Sequence, residues 1–358
     1  MITGNKGEWS EIYTLLKVIA DKKLVAGDSK LNQIESLMFP IIKVLRDESN
    51  GTFEFGYEND LVVISNSQEK FRIPILEFQK QAHFLLSKLK EKTSATFSIP
   101  EIENFINSFN SHSLKAKSTV KSDIRIVIHD QRTGTNPELG FSIKSQLGGA
   151  STLLNAGKTT NFIYEIVNAK INENQALSIN AIDTRSKIKD RIGKITELNG
   201  KLEFENTESS ILGNNLVLID SALPRIISEI LLLFFTSNFS KISSLVNEIS
   251  SKNPLGYNLE NNHPFYIYKI KRLLTDIALG MMPSKVWTGE LDATGGYLVV
   301  KENGDVLCYH IYNRNEFEDY LFENTKLETA SSSRHEFGKV YKKGNKQYFN
   351  LNLQIRFL

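Results

Sequence analysis

A strand–turn–strand segment over residues 123–146 is the feature that most constrains the fold. Residues 124–129 read Ile-Arg-Ile-Val-Ile-His, and this alternating, β-branched run predicts a strand. Residues 141–146 predict a second strand, and the stretch 131–140 between them contains glycine, asparagine and proline, which favour turns. We therefore expect two neighbouring strands of one sheet.

The rest of the chain switches between helical and strand periods, which is typical of a mixed α/β protein. Its 358 residues favour about two domains, and Asn253-Pro254-Leu255-Gly256 is the candidate boundary. Helices are predicted over residues 8–22, 73–92, 99–110, 159–168, 183–197, 221–236, 239–250, 265–280 and 315–323, and strand pairs over 53–65, 296–312 and 338–357.

Composition excludes several classes of protein. With 41% hydrophobic and 23% charged residues the chain has globular proportions, so a disordered or collagen-like chain is excluded. The single cysteine, Cys308, excludes an intramolecular disulfide and a thiolate zinc cluster, and it favours a reducing, cytoplasmic compartment. The longest apolar run, at 230–235, is far shorter than the roughly 20 residues of a membrane span.

Acidic and basic side chains in the 123–146 segment predict a catalytic site. Asp130 ends the first strand, and Ser142, Lys144 and Gln146 share one face of the second. A carboxylate and a lysine can thus converge and hydrolyse a phosphodiester. Asp130 would hold Mg²⁺, which polarises the phosphate, and Lys144 would orient the attacking water or neutralise charge. The alternative is an edge strand that carries charge for solubility.

The predicted first helix offers further carboxylates. Trp9, Ile12 and Leu16 lie on its apolar face. Glu8 falls inside this apolar arc and Glu11 on its margin, where a carboxylate is costly unless it is paired or metal-bound. Acids in a first turn also favour the helix dipole, which is the alternative explanation.

Segments at both ends and in the middle of the chain carry a family resemblance. They are residues 4–13, 139–147, 152–155, 160–164, 333–338 and 351–357. Together with Asp130 and Ser142-Ile143-Lys144, they make the chain similar to the PD-(D/E)XK nucleases and, over nearly its full length, to the HpaII-type restriction endonucleases.

The resemblance implies an α/β fold with a PD-(D/E)XK restriction-endonuclease-like core, in which helices flank a central mixed sheet, and a C-terminal α+β lobe. Residues 1–252 are then expected to form the nuclease core, and residues 253–358 a lobe that helps to read DNA. The implied activity is Mg²⁺-dependent cleavage of both strands of double-stranded DNA at a short palindrome, with CCGG as the expected site. A twofold-symmetric site suits a homodimer.

One position departs from the nuclease signature. The residue two before Lys144 is normally Asp or Glu, but here it is Ser142, a poorer ligand for Mg²⁺. Some similar enzymes take a carboxylate from the following helix, for which Glu165 is the candidate, and Gln146 is another polar member. A glutamate from the helix on the catalytic sheet is common in this fold, which favours Glu11. The implied catalytic residues are Asp130, Lys144, Ser142, Gln146 and Glu11, and the implied metal ligands are Asp130, Glu11 and Glu165.

Residues predicted to contact DNA lie mainly in two loops. Gly157-Lys158-Thr159-Thr160 mimics the end of a Walker A loop, but position 152 is not glycine, so its lysine is expected to approach a DNA phosphate instead. In Ser333-Arg334-His335, the arginine is suited to reading guanine, although a solvated loop arginine is the alternative. The predicted contacts are Arg132, Lys158, Asn161, Arg334 and His335.

The net charge of +2 conceals two basic segments. Residues 115–160 hold seven Lys or Arg against three Asp or Glu, and residues 334–358 hold six against one. An acidic remainder would orient a DNA duplex toward these segments. The alternatives left open are a repair or recombination nuclease, a non-catalytic DNA-binding protein and a plain interaction protein.

Overall fold

The computed structural model describes residues 2–48, 51–66, 69–114, 122–131 and 133–358. The elements up to residue 151 are α1 (Lys6–Asp21), β1 (Lys23–Gly27), β2 (Gln33–Glu48), β3 (Gly51–Glu58), β4 (Leu61–Ser65), β5 (Lys70–Pro74), α2 (Ile75–Glu91), α3 (Pro100–Asn107), β6 (Ile124–Ile128) and β7 (Glu138–Ser145). From there to residue 290 they are β8 (Thr152–Leu154), β9 (Asn161–Val167), α4 (Glu173–Ala181), α5 (Lys187–Glu197), β10 (Lys201–Thr207), α6 (Ser210–Ile219), α7 (Leu223–Thr236), α8 (Ile242–Lys252) and α9 (Phe265–Leu279). The last are β11 (Gly296–Val300), β12 (Val306–His310), α10 (Arg314–Glu323), β13 (Thr325–Leu327), α11 (Ser332–His335), β14 (Val340–Lys343), β15 (Lys346–Asn352) and β16 (Ile355–Phe357).

The chain divides into two compact units that interleave along the sequence. The first contains residues 1–151 and 291–320, and the second contains residues 152–290 and 321–358. The boundary predicted near residue 253 therefore falls inside the second unit.

A nine-stranded mixed sheet organises the first unit. Its order is β1-β12-β11-β7-β6-β2-β3-β4-β5, and β1 also pairs with β2, so that six of the strands close into a ring. At its centre β7 pairs antiparallel with β6 and parallel with β11. The predicted neighbouring strands of the 123–146 segment are thus confirmed, as is the mixed α/β class.

Helices α1, α2 and α3 pack on this sheet through a shared hydrophobic core. Trp9 is fully buried, and its indole N–H donates to the carbonyl of Phe97 at 3.1 Å. Phe78, Phe105 and Phe109 contact one another through ring edges and faces. Because aromatic side chains bury large areas, this shared core holds the helices on the sheet, and α1 carries Glu11.

The second unit contains two smaller sheets, ordered β10-β9-β15-β14 and β13-β16-β8. The helix predicted over residues 159–168 is wrong, since residues 161–167 form strand β9. Phe162, Tyr164 and Ile166 are buried at every second position, which is the strand period that the helical prediction overlooked. The long strand β2 was not predicted either. Among the described residues, no helix is long and apolar enough to cross a membrane.

Candidate active site

The candidate active site is built around Lys144, near the end of β7 that lies far from the hairpin turn. This side chain is half-buried, and its ammonium nitrogen lies 5.0 Å from the ring centre of Tyr297 on β11. Burial lowers the pKa of the Lys144 amine, whereas the carboxylates of Asp123 and Glu11 act in the opposite direction. Two carboxylates from different elements therefore act on one lysine.

Asp123, just before β6, is placed at the site by the register of the hairpin. Because Ile124 pairs with Phe141, one further step along both strands sets Asp123 level with Ser142. Its Oδ2 accepts a hydrogen bond from the N–H of Ile143 at 2.6 Å. Its own N–H donates to the carbonyl of Phe141 at 2.9 Å. The carboxylate is thus held against β7.

Asp130, the acid predicted from the sequence, is not brought together with Lys144. It lies at the turn end of the hairpin, where its N–H donates to the carbonyl of Thr135 at 2.9 Å. Seven residues of mainly extended chain, roughly 20 Å, separate it from Asp123. Asp130 is buried, and its charge acts on His310. The expected pairing of a carboxylate with a lysine is present, but its acid is Asp123.

Helix α1 supplies the second carboxylate, Glu11. Asn5 and Glu8 form a capping box, in which the Asn5 side chain accepts from the Glu8 N–H and the Glu8 carboxylate accepts from the Asn5 N–H. Glu8 therefore serves the helix terminus. The hydroxyls of Ser10 and Ser145 lie 2.8 Å apart and fix α1 against the end of β7. This contact supports the preference for Glu11 over Glu8.

A buried arginine, Arg46 on β2, completes the charged cluster. Its Nη2 donates to the carbonyl of Ser113 at 3.0 Å. Its Nη1 lies 3.6 Å from Glu48 Oε1 and has no hydrogen-bond partner among the described residues. Burial lowers the pKa of Arg46, and the carboxylates of Glu48, Glu11 and Asp123 oppose that effect. The arginine charge thus acts on both carboxylates that surround Lys144.

Sequence reasoning missed Arg46 and Asp123 for different reasons. Arg46 lies on a strand that was not predicted and comes from a distant part of the chain, so it had no local signal. Asp123 did have a local signal in the sequence, because counting residues back from the predicted turn along both strands pairs it with Ser142. Proximity to the strand end favoured Asp130 instead.

A cavity of about 760 Å³ opens beside Glu11 within the first unit. Ile143 and Ser145 of β7 line it together with the glycines at 148 and 149. Three lysines also line it, against the single carboxylate of Glu11. The positive excess suits a DNA phosphate. The three are Lys6, Lys90 and Lys92.

The remaining predicted residues of the first unit lie close by. Ser142 pairs with Tyr297 of β11 and is level with Asp123. Gln146 follows β7 directly, is half-buried, and donates its backbone N–H to the carbonyl of Val300 at 2.9 Å. Ser142 and Gln146 are therefore uncharged neighbours of Lys144.

Glu165 lies in the second unit and is on a strand rather than on the expected helix. Its carboxylate accepts from the Lys346 ammonium group at 2.6 Å. Among the described residues, no group of three or more His, Cys, Asp or Glu side chains is arranged to hold a metal ion. Among the described residues, the carboxylates whose charges act on Lys144 are those of Asp123 and Glu11.

Two loops predicted to contact DNA adjoin each other in the second unit. Lys158 is exposed and pairs with Glu336 at 2.6 Å. Asn161 is fully buried, and its amide donates to Glu208 at 2.7 Å and to the carbonyl of His335 at 2.9 Å. The asparagine therefore holds the two loops together, and its contact with DNA stays a prediction.

Arg334 is exposed on the short helix α11, beside the half-buried His335. Both remain free to approach a ligand from this surface. Arg132 lies outside the described residues, as do residues 115–121 of the first basic segment.

Comparison with known proteins identifies the class to which this chain and its site belong. The model of the HpaII restriction endonuclease family matches residues 5–357, so the chain belongs to that family and is a restriction endonuclease. It is 49% identical over 359 residues to the type II restriction enzyme HpaII of Haemophilus parainfluenzae, covering 99% of each chain. No solved structure matches the chain. The family predicted from the sequence is thus confirmed.

Proposed function

We propose that this restriction endonuclease cleaves both strands of duplex DNA at the palindrome CCGG, with Mg²⁺ as its metal and Lys144, Asp123 and Glu11 as its central residues. The observation that supports this proposal is the convergence of two carboxylates on one half-buried lysine beside a positively charged cavity. The name of the Haemophilus relative supports the CCGG site. A PD-(D/E)XK core is part of the proposal.

The residues around Lys144 fit a hard divalent cation. The Asp123 carboxylate is fixed by the N–H of Ile143, and the carbonyl of an extended residue points to the same side of a strand as its N–H. Asp123, Glu11 and the Ile143 carbonyl would therefore hold the ion. Mg²⁺ commonly takes one or two carboxylates, with water and substrate phosphate completing its shell. When bound, the ion would polarise the scissile phosphate and lower the pKa of a bound water.

Lys144 acts on the attacking water and on the developing charge. Its Nζ carries protons that can bond to the water or to a phosphate oxygen, and Tyr297 and the two carboxylates fix its position. A charged donor that is already in place stabilises a transition state without reorganisation. Arg46 is a positioning residue, since its buried charge acts on Glu48 first and also on Glu11 and Asp123 before substrate arrives.

Ser142 occupies the position at which the nuclease signature normally has its second acid. In the hairpin it lies level with Asp123. Its hydroxyl can donate to the water or to a phosphate oxygen, which a carboxylate could not do. Gln146 contributes a neutral polar group at the same strand end.

A palindromic site is read most simply by two copies of the chain related by a twofold axis, so we include a homodimer in the proposal. Arg334, His335 and Lys158 of the second unit would contact the DNA. We also expect a cytoplasmic location, in line with the lone, buried Cys308.

The test is digestion of DNA of known sequence with Mg²⁺, followed by sequencing of the ends. The expected result is a discrete set of fragments whose ends all map to CCGG, and no cleavage in a chelator. Random ends, or cutting that depends on branched structure, would contradict the proposed specificity. Cleavage that persists without any divalent metal would contradict the proposed chemistry.

A further inference from the structure

A second cavity, of about 550 Å³, lies wholly within the second unit. Three segments form its walls: the stretch 185–189 that leads into α5, the loop 237–240 after α7, and the stretch 329–333 that leads into α11. We call it the serine groove. Seven of the side chains that line it carry a hydroxyl group, three are cationic, and none is a carboxylate.

The cations of the serine groove are only weakly neutralised. Arg185 is exposed and has no ion-pair partner among the described residues. Lys189 is exposed and donates only to neutral oxygens, the Ser237 carbonyl at 3.4 Å and the Asn238 side chain at 3.2 Å. Lys187 pairs with Asp183 at 2.8 Å, four residues earlier in the segment before α5. The groove thus offers two positive charges and many hydroxyl donors to an anion.

One buried side chain holds two of the walls in place. Arg191 on α5 is 4% exposed and donates to the carbonyls of Asn180 and Ile182, which precede the first wall. It also donates to the carbonyl of Gly338, which follows α11. The walls are therefore fixed before any ligand binds, which reduces the entropy cost of binding.

We propose that the serine groove binds the sugar–phosphate backbone of the DNA substrate, with Arg185 and Lys189 as the charge contacts. Phosphates are held in proteins by arginine, lysine and hydroxyl side chains together, which is the composition of this groove. The wall formed by residues 331–333 continues directly into Arg334, so the same segment would bind backbone and approach bases. The inference rests on the proposed function, because it takes DNA as the ligand.

The test compares the double variant Arg185→Ala/Lys189→Ala with a matched control, Lys201→Ala/Lys252→Ala. The control also removes two positive charges from the second unit. Its two lysines already form ion pairs, with Glu203 and Glu248. Binding to a duplex with the site and to one without it is measured by fluorescence anisotropy at several salt concentrations, in Ca²⁺ and in a chelator.

Loss of two phosphate contacts should reduce the slope of log K against log salt by about 1.8 and weaken binding about tenfold or more at 0.1 M salt. Both duplexes should be affected alike, because phosphate contacts carry no sequence information. The control should keep the slope of the parent chain.

An unchanged slope in the groove variant, or an equal loss in the control, would overturn the inference. Because Arg185 and Lys189 are exposed, both variants should fold, and circular dichroism checks this; Arg185→Gln/Lys189→Gln serves as a second variant. Failure of the proposed function is a separate result. In that case the parent chain itself would not give fragments that end at CCGG in Mg²⁺, whatever the groove variant binds.

Discussion

The two ends of the β6–β7 hairpin carry similar residues in opposite settings. At one end Asp123 acts on Lys144 beside an open, lysine-lined cavity. At the other, the buried Asp130 acts on the buried His310. Burial lowers the pKa of His310 to about 4, against the opposing effect of Asp130, so this imidazole is neutral at pH 7. The charges of Asp123 and Lys144 can therefore take part in chemistry, whereas Asp130 and His310 are buried inside the protein.

The difference shows that hairpin register, rather than proximity in sequence, selects the catalytic acid. Asp130 is closer to Lys144 along the chain than Asp123 is. In an antiparallel pair, however, residues far from the turn on one strand meet residues far from the turn on the other. Changes at Lys144 and Asp123 should therefore affect cleavage, and changes at the turn end should affect stability.

The largest effect is expected at the lysine. Lys144→Ala removes the fixed donor and should lower the single-turnover cleavage rate roughly 10³-fold or more while DNA binding is retained. His129→Ala, at the turn end, should change the rate only a few-fold. The measurement is the single-turnover cleavage rate of each variant on the same plasmid. Near-normal cutting by the lysine variant would exclude this site.

At the turn end of the hairpin, the expected effect is on the stability of the fold rather than on cleavage. The unfolded histidine has a pKa near 6.5, and His310 in the folded chain has one of about 4, so the unfolded state binds more protons between these values. The contribution of His310 to the free energy of unfolding should therefore be fully present above pH 6.5. It should fall by about 3 kcal/mol, roughly a hundredfold in the folding equilibrium, as the pH drops to 4.

This pH dependence is measured by denaturant titrations across the range. The variant His310→Gln should lack that part of the pH dependence, even if it is less stable at every pH. If parent and variant lose stability in parallel between pH 6.5 and 4, His310 is not its source.

A smaller effect on cleavage is expected from the helix carboxylate. Glu11→Gln should raise the Mg²⁺ concentration needed for half-maximal cleavage by about tenfold, because one of two acidic ligands is lost. Glu8→Gln, which changes a residue of the helix capping box, should leave that concentration unchanged. The measurement is a Mg²⁺ titration of the single-turnover rate. An equal response of the two variants would assign Glu11 to helix electrostatics.

The smallest effect is expected at the unusual serine. Ser142→Ala should slow cleavage only a few-fold, about 1 kcal/mol in the barrier, because a neutral hydroxyl contributes a single uncharged hydrogen bond. The single-turnover rate is compared with that of Ser151→Ala, a serine that lines the cavity. A loss approaching that of Lys144→Ala would make Ser142 a central catalytic residue.

Local patterns predicted much of this fold. The 123–146 strands, the first helix and the strand pair over 296–312 all follow from periodicity and turn chemistry. The segment 161–167 was misjudged because a short apolar run fits a helix or a strand until its burial is known.

The candidate site was predicted only in part, for a physical reason. Lys144 and Glu11 lie within local patterns, and both are where the sequence placed them. Arg46 reaches the cluster from a strand about a hundred residues away in sequence from Lys144, and only the tertiary pairing of β2 with β6 brings it there. The lysines at 90 and 92 likewise join the cavity through packing of α2.

The most direct test of the account compares Asp123→Asn with Asp130→Asn. Both variants exchange a carboxylate for an amide of equal size, and both are assayed by single-turnover cleavage of a CCGG duplex at a temperature where circular dichroism shows them folded. Asp123→Asn should lose roughly 10³-fold or more in rate, and Asp130→Asn should stay within a few-fold of the parent chain. The reverse order, with Asp130 essential and Asp123 dispensable, would contradict the account.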